Sequence, residues 1–205
     1  MSRQKTFRIP HSAFRTRTIF PVILSVPEKV ADYKPRDRVT FLSQHARKAI
    51  AASAQKSGIS PGELKKDENG APLPFEGTYW SITHKSEYVA GVVSPRPIGI
   101  DIEKILPCSR GLYKRTATQS EWSLADQSQD DFSIFYRYWT AKEAVLKAST
   151  TGIKDLLKCR IEQIIDEHHL AINYLNKKWF IEHHFFNDHI ASIVQNDARI
   201  VWTII

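Results

Sequence analysis

Four segments of this chain recur, in register, at an offset of about a hundred residues. Trp80-Ser-Ile-Thr-His84 returns as Trp179-Phe-Ile-Glu-His183, and Tyr88-Val-Ala-Gly-Val-Val-Ser94 as His189-Ile-Ala-Ser-Ile-Val-Gln195. The strand around Asp101 returns as Arg199-Ile-Val-Trp-Thr-Ile-Ile205, and Thr40 to Ile50 as Thr140 to Thr150, which sets Arg47 against Lys147. Self-similarity of this kind means one supersecondary unit built twice. Each copy has one helical stretch and several runs with the period of a strand. The expectation is an α+β fold of two pseudo-symmetric halves, each an antiparallel sheet packed on a helix. The halves would be residues 1–106 and 107–205, joined near Pro107.

The copies differ where chemistry would sit. In Pro97-Ile-Gly-Ile-Asp-Ile-Glu-Lys-Ile105, Ile98, Ile100 and Ile102 alternate with Gly99, Asp101 and Glu103. That alternation is the period of a strand, so both carboxylates share one face. The second copy carries Trp202 and Ile204 at these positions, so the acids are not needed to build the strand. Two like charges this close repel unless a cation lies between them, and oxygen ligands suit a hard divalent ion. The competing reading is an edge strand with a solvated acidic face.

A helix is expected over about 135–149, and it contains Trp139-Thr-Ala-Lys-Glu-Ala-Val-Leu-Lys147. Glu143 and Lys147 are four apart and share a face. On an exposed helix they would be a simple ion pair. Trp139, Ala144, Val145, Leu146 and Ala148 suggest a mostly buried helix instead, and a buried Glu wants a partner. Glu143 would then join Asp101 and Glu103 as a third oxygen ligand, with Lys142 and Lys147 offering positive charge to a phosphate.

Along the rest of the chain, residues 1 to about 34 read as an irregular lead-in with one or two strands. A helix follows over about 37–55, ended by Gly58. A Gly/Pro-rich connection comes next, Ser60-Pro-Gly62 and Asn69-Gly-Ala-Pro72. The stretch from Pro107 to about Asp131 is polar with a short helix near Glu121, and the tail from about Arg160 is strand-rich. The net charge of +7 suits an anionic partner without choosing one. No apolar run approaches membrane-spanning length, and Ile19 to Leu24, broken by Pro21, reads as a strand and not a signal peptide. Cys108 and Cys159 form no motif, which fits a reduced, cytoplasmic protein. The histidines at 168, 169, 183, 184 and 189 lack a metal-ligand spacing, so no second metal site is expected.

Gly99-Ile-Asp-Ile-Glu103, followed about forty residues later by Trp139-Thr-Ala-Lys-Glu-Ala-x-x-Lys147, resembles the signature pair of 4′-phosphopantetheinyl transferases. Ser81-Ile-Thr-His84 resembles that family's third motif, a Ser-His after an apolar residue, with Thr83 in place of Ser. Together the three motifs are specific; each alone is weak. Ser94 to Glu103 and the Lys147-Ala-Ser149 run resemble the surfactin- and enterobactin-type branch, a single chain of two halves that leans towards secondary metabolism.

The resemblance implies transfer of the phosphopantetheine arm of coenzyme A to a serine of an acyl or peptidyl carrier protein, with release of 3′,5′-ADP. By motif, Asp101, Glu103 and Glu143 would hold Mg²⁺, or Mn²⁺ as an alternative. Glu143 would serve as general base, with Glu103 and Lys147 completing the catalytic set. Arg38, Arg47, Thr83, His84, Lys85, Lys142 and Lys147 would contact coenzyme A. Many members have Gly-Lys-Pro or Gly-Arg-Pro where this chain has Gly70-Ala71-Pro72, leaving Lys65, Lys66 or Lys85 to compensate. Arg110, Lys114 and Arg115 would face either an acidic carrier or solvent. A monomer is expected, with no nucleic-acid partner and no membrane span. The readings kept beside this one are a metal-dependent nuclease and a non-catalytic phosphate-binding module.

Overall fold

The computed structural model describes residues 17–60, 62–125, 130–195 and 197–205. The expected lead-in before residue 17, Pro61 in the Gly/Pro-rich connection and positions 126–129 of the polar stretch lie outside the described residues. The first part of the chain forms β1 (Thr18–Ile19), β2 (Val22–Ser25), α1 (Pro35–Ser57), β3 (Tyr79–His84), β4 (Tyr88–Ser94) and β5 (Ile100–Lys104). The second forms α2 (Arg110–Thr116), α3 (Gln119–Trp122), α4 (Asp131–Ser149), β6 (Arg160–Ile164), β7 (His169–Tyr174), β8 (Lys177–Phe186), β9 (His189–Val194), β10 (Arg199–Ile200) and β11 (Thr203–Ile204). Among the described residues no helix is long and apolar enough to cross a membrane.

Local chemistry sets the helix ends. α1 starts with Pro35 in its first turn and stops at Gly58, whose left-handed backbone (φ 64°) returns its N–H to Ala54 and Gln55 carbonyls. α4 begins four residues earlier than its apolar pattern suggests, because Asp130 caps it by accepting from the Ser133 N–H at 2.9 Å.

Two main sheets follow. The first has the order β11-β2-β4-β3 and the second β5-β9-β8-β7-β6, with β1 and β10 forming a two-residue parallel pair. The strands after the two hairpins change sheets. β5 follows β4 in sequence but pairs antiparallel with β9, setting Asp101 opposite Ser192 and Glu103 opposite Ile190. β11 follows β9 and runs parallel to β2 in the first sheet.

Strand alternation then assigns the faces. Val89 packs with Leu42 and Ala46 of α1, and Trp80 and Val93 pack with Ile50 and Ala54. The opposite face of the first sheet (Ile23, Ala90, Val92) shares one cluster with Ile100, Ile102, Ala191 and Ile193 of the second. The far face of the second sheet receives α4. The layers therefore run helix, sheet, sheet, helix, an α+β architecture. α4 lies so close to β5 that a Cβ on Gly99 would fall 1.8 Å from the Ala144 carbonyl oxygen.

Candidate functional site

Gly99, Asp101 and Glu103 all point from β5 towards α4. The missing side chain at 99 lets the helix approach, and the two acids meet the side chains that α4 brings. Asp101 is 5 % exposed. Its Oδ1 accepts from the Lys147 ammonium at 2.8 Å and from the Thr83 hydroxyl at 2.9 Å. Its Oδ2 is buried with no hydrogen-bond partner. Lys147 is steadied by a second bond to the Ile100 carbonyl at 3.0 Å. Glu103 Oε1 accepts from Lys85 at 2.6 Å and from the Trp139 indole N–H at 3.2 Å.

Glu143, one helical turn before Lys147, is half-buried, and its carboxylate makes no hydrogen bond or ion pair among the described residues. Burial, then the charge of Asp101, raises its pKa, and Glu103 adds to this while Lys147 opposes it. Glu103 is raised for the same first two reasons, against the pull of Lys85 and Trp139. Asp101 and Glu103 share the α4-facing side of β5, and Lys147, one turn along α4 from Glu143, joins the helix to Asp101. A cleft of about 530 Å³ opens beside Glu143 and Lys147, lined also by Ala71 and Pro72 of the Gly/Pro-rich connection and by Thr151 and Lys154.

As they stand, no three His, Cys, Asp or Glu side chains among the described residues converge into a metal cage. Lys147 and Lys85 instead pair with Asp101 and Glu103. The donor set nonetheless fits a hard divalent cation, being all carboxylate oxygen and including the buried, unpartnered Oδ2 of Asp101.

The other expected contacts divide. His84 ends β3 with its surface largely exposed. Its pKa is lowered first by the buried part of the ring, then by the charges of Lys147, Lys66 and Lys85. Thr83, the next residue along the strand, faces the other way. It is buried and its hydroxyl is committed to Asp101, so it positions the acid and is turned away from an incoming ligand.

Lys142 is not at the site. It is fully buried, donating to Glu121 at 2.6 Å and to the Thr116 carbonyl at 2.8 Å, about 100° round the helix from Glu143. Arg38 donates to the Ala31 carbonyl and Arg47 to the Leu64 carbonyl at 3.2 Å, and neither is bonded to the acids. Of the three lysines considered against the missing base at Ala71, Lys65 pairs with Glu63 and Lys85 with Glu103. Lys66 bridges by its backbone to Pro72, beside Ala71, and its charge reaches His84. The Trp139–Glu103 bond and Lys154 on the cleft rim are additions that no motif announced.

Behind the site, a buried polar chain ties α4 to the sheet. Thr140 donates to the Tyr136 carbonyl at 2.8 Å, so Ser192 donates to Thr140 and the His183 Nδ1–H donates to Ser192 at 2.8 Å. His183 Nε2 is buried without a partner. Burial, then Arg137, His169 and His168, holds the His183 pKa well below its ordinary 6.5. A depressed histidine pKa stabilises the fold fully above the unfolded value, and that stability drains as pH falls below it. The slope is about 1.4 kcal/mol per pH unit. Melting curves between about pH 7 and pH 5 should therefore fall more steeply for the wild type than for His183→Asn. Equal slopes would remove His183 as the cause.

A model of the 4′-phosphopantetheinyl transferase superfamily matches residues 97–200. The 4′-phosphopantetheinyl transferase HetI of Nostoc sp. (strain PCC 7120) is 34% identical over 116 residues, 51% of this chain and 49% of that protein. The 4′-phosphopantetheinyl transferase Sfp of Bacillus subtilis (strain 168) is 32% identical over 131 residues, 60% of this chain and 58% of that protein. The L-aminoadipate-semialdehyde dehydrogenase-phosphopantetheinyl transferase of Rattus norvegicus is 29% identical over 108 residues, 44% of this chain and 35% of that protein. The chain thus spans between about a third and three fifths of the length of these curated relatives. The matched segment contains β5 and α4, the two elements that meet at the acids.

Proposed function

This chain belongs to the 4′-phosphopantetheinyl transferase superfamily, and from that premise we propose that it moves the phosphopantetheine arm of coenzyme A onto a serine of an apo carrier protein. The observation that carries the reading is the Asp101–Lys147 pair between β5 and α4, with Glu143 and Lys147 lining one cleft and Glu103 on the same strand face as Asp101. Asp101, Glu103 and Glu143 would hold Mg²⁺, with Mn²⁺ as an alternative. The ion, when bound, neutralises pyrophosphate charge and polarises the phosphorus under attack.

The remaining roles fall to the side chains. Glu143 would also be the base: it takes the proton from the carrier serine as the serine oxygen bonds to the phosphorus bearing the pantetheine arm. The bond from that phosphorus to the bridging oxygen breaks, and the electron pair leaves with 3′,5′-ADP. Lys147 steadies that leaving phosphate from the same helix face. Lys66 and Lys85 form the cationic patch that receives the substrate phosphates, His84 offers them a ring N–H, and Lys66 takes the place of the base absent at Ala71. Arg38 and Arg47 serve the nucleotide end by releasing their backbone carbonyls. Lys142 is assigned no part in binding. Trp139 and Thr83 orient Glu103 and Asp101.

The same proposal treats the chain as two halves, 1–106 and 107–205, each contributing a helix-backed sheet. It is supported by the β3–β4 and β8–β9 hairpins falling at corresponding points of the sequence repeat. We further propose a monomeric, cytoplasmic enzyme whose carrier partner, acidic and of a secondary-metabolite pathway, docks near Arg110, Lys114 and Arg115.

Thermal melts test the binding half of the reading. Coenzyme A with Mg²⁺, at about a hundred times its dissociation constant, should add about 2.7 kcal/mol and raise the midpoint by several degrees. Coenzyme A that leaves the midpoint unchanged at all concentrations would overturn it and bring a nuclease forward.

A further inference from the structure

The acids of the site arrive with their own cations, and the two cations are built differently. Lys147 projects from the middle of α4 and holds both Asp101 and the Ile100 carbonyl, so it is fixed at two points. Lys85 sits in the turn between β3 and β4, where its backbone N–H donates to the Tyr88 carbonyl. Its side chain is 40% exposed, while its partner Glu103 is only 14% exposed. A flexible stem thus reaches in from water to neutralise a carboxylate that burial and Asp101 leave ill at ease as an anion. Any cation approaching Glu103 meets the Lys85 ammonium already there. On its other side Lys85 bears on His84, in the patch assigned above to phosphate.

We propose that Lys85 is a placeholder cation on Glu103. A divalent metal must displace it, and its release towards the His84 patch couples metal loading to binding of the pyrophosphate-bearing substrate. The inference rests on the metal site proposed above. It also goes beyond that site: an exposed turn residue sets the metal affinity of the free protein, and reciprocal linkage makes metal and substrate strengthen each other.

The test uses Mn²⁺ as the probe, with its binding followed by electron paramagnetic resonance on the intact chain, so turnover is not the readout. Wild type, Lys85→Met and Glu103→Gln would each be titrated with and without saturating coenzyme A. Lys85→Met should bind Mn²⁺ about tenfold more tightly than wild type when coenzyme A is absent. With coenzyme A present that advantage should vanish, because wild-type Lys85 has then moved to the phosphates. Equal or weaker binding by Lys85→Met, with Glu103→Gln still losing Mn²⁺, would reject the placeholder and leave the metal site standing. A tenfold advantage that persists with coenzyme A would reject the coupling. Mn²⁺ binding that ignores Glu103→Gln, or is absent from every form, would remove the metal site and the placeholder with it. Lys85 lies outside the core, so Lys85→Met should still fold, with a midpoint lowered by a few degrees because Glu103 loses its ammonium partner.

Discussion

Replacing Glu143 by Gln is expected to lower the initial rate of transfer by about a thousandfold or more. General-base catalysis by a positioned carboxylate contributes about 10² to 10⁴, and here the same group would also be a metal ligand. Gln keeps the size of the side chain and its place in the helix, so the loss is of charge and basicity alone. The expected stability change has the opposite sign. Glu143 has a pKa raised by burial and by Asp101, so its charged form opposes folding. A group raised above its unfolded value stabilises the fold at low pH and loses that contribution as pH rises through the folded value. At neutral pH the variant should therefore melt at the same temperature as wild type or higher, a trade of stability against function. Activity within tenfold of wild type would sink the assignment of Glu143 as base, as would a midpoint that falls along with activity.

The second large effect is structural. Gly99→Ala should cost more than about 3 kcal/mol in urea denaturation, beyond the usual range for overpacking. The added Cβ would meet the Ala144 carbonyl oxygen at 1.8 Å and the Ala148 nitrogen at 2.7 Å. Both atoms are helix backbone, so no rotamer change relieves the contact; α4 must lift off β5. Because Asp101 lies two residues along and Lys147 rides on the helix, whatever folds should also lose the Asp101–Lys147 pair and transfer activity. Gly111→Ala is the control, since its nearest neighbour would be the Ser109 hydroxyl at 3.9 Å. A cost below about 1 kcal/mol at Gly99 would mean that the helix yields more easily than this packing implies.

What could be read from the sequence was what local pattern encodes. The alternation of Ile98, Ile100 and Ile102 identified β5 and its acidic face, and the spacing of Glu143 and Lys147 put both on one side of α4. What could not be read was where strands pair. Nothing local to residues 100–104 says that they bond to β9, and nothing in 203–204 says that the tail runs parallel to β2. Those choices are made by the two inner faces, Ala90 and Val92 against Ile100 and Ile102, which meet only in the folded chain.

For two residues the motif did not reveal the side chain's placement, for a simpler reason. Thr83 and His84 are adjacent on a strand, so they must face opposite ways; one orients Asp101 and the other meets solvent. Lys142 directly precedes Glu143, so it points about 100° away, into a buried pair with Glu121. The apolar composition of α4 hid this, because a helix buried on nearly every side gives no hint of which polar residue faces which neighbour.

The central claim is group transfer, and intact-protein mass spectrometry reads it most directly. The chain would be incubated with coenzyme A, Mg²⁺ and a panel of apo carrier proteins from fatty-acid, polyketide and peptide pathways, beside a Glu143→Gln control. The account predicts that at least one carrier gains the mass of a single phosphopantetheine arm, with wild type and metal both required. Carriers left unmodified across the panel, by a chain that also fails to bind coenzyme A, would contradict it.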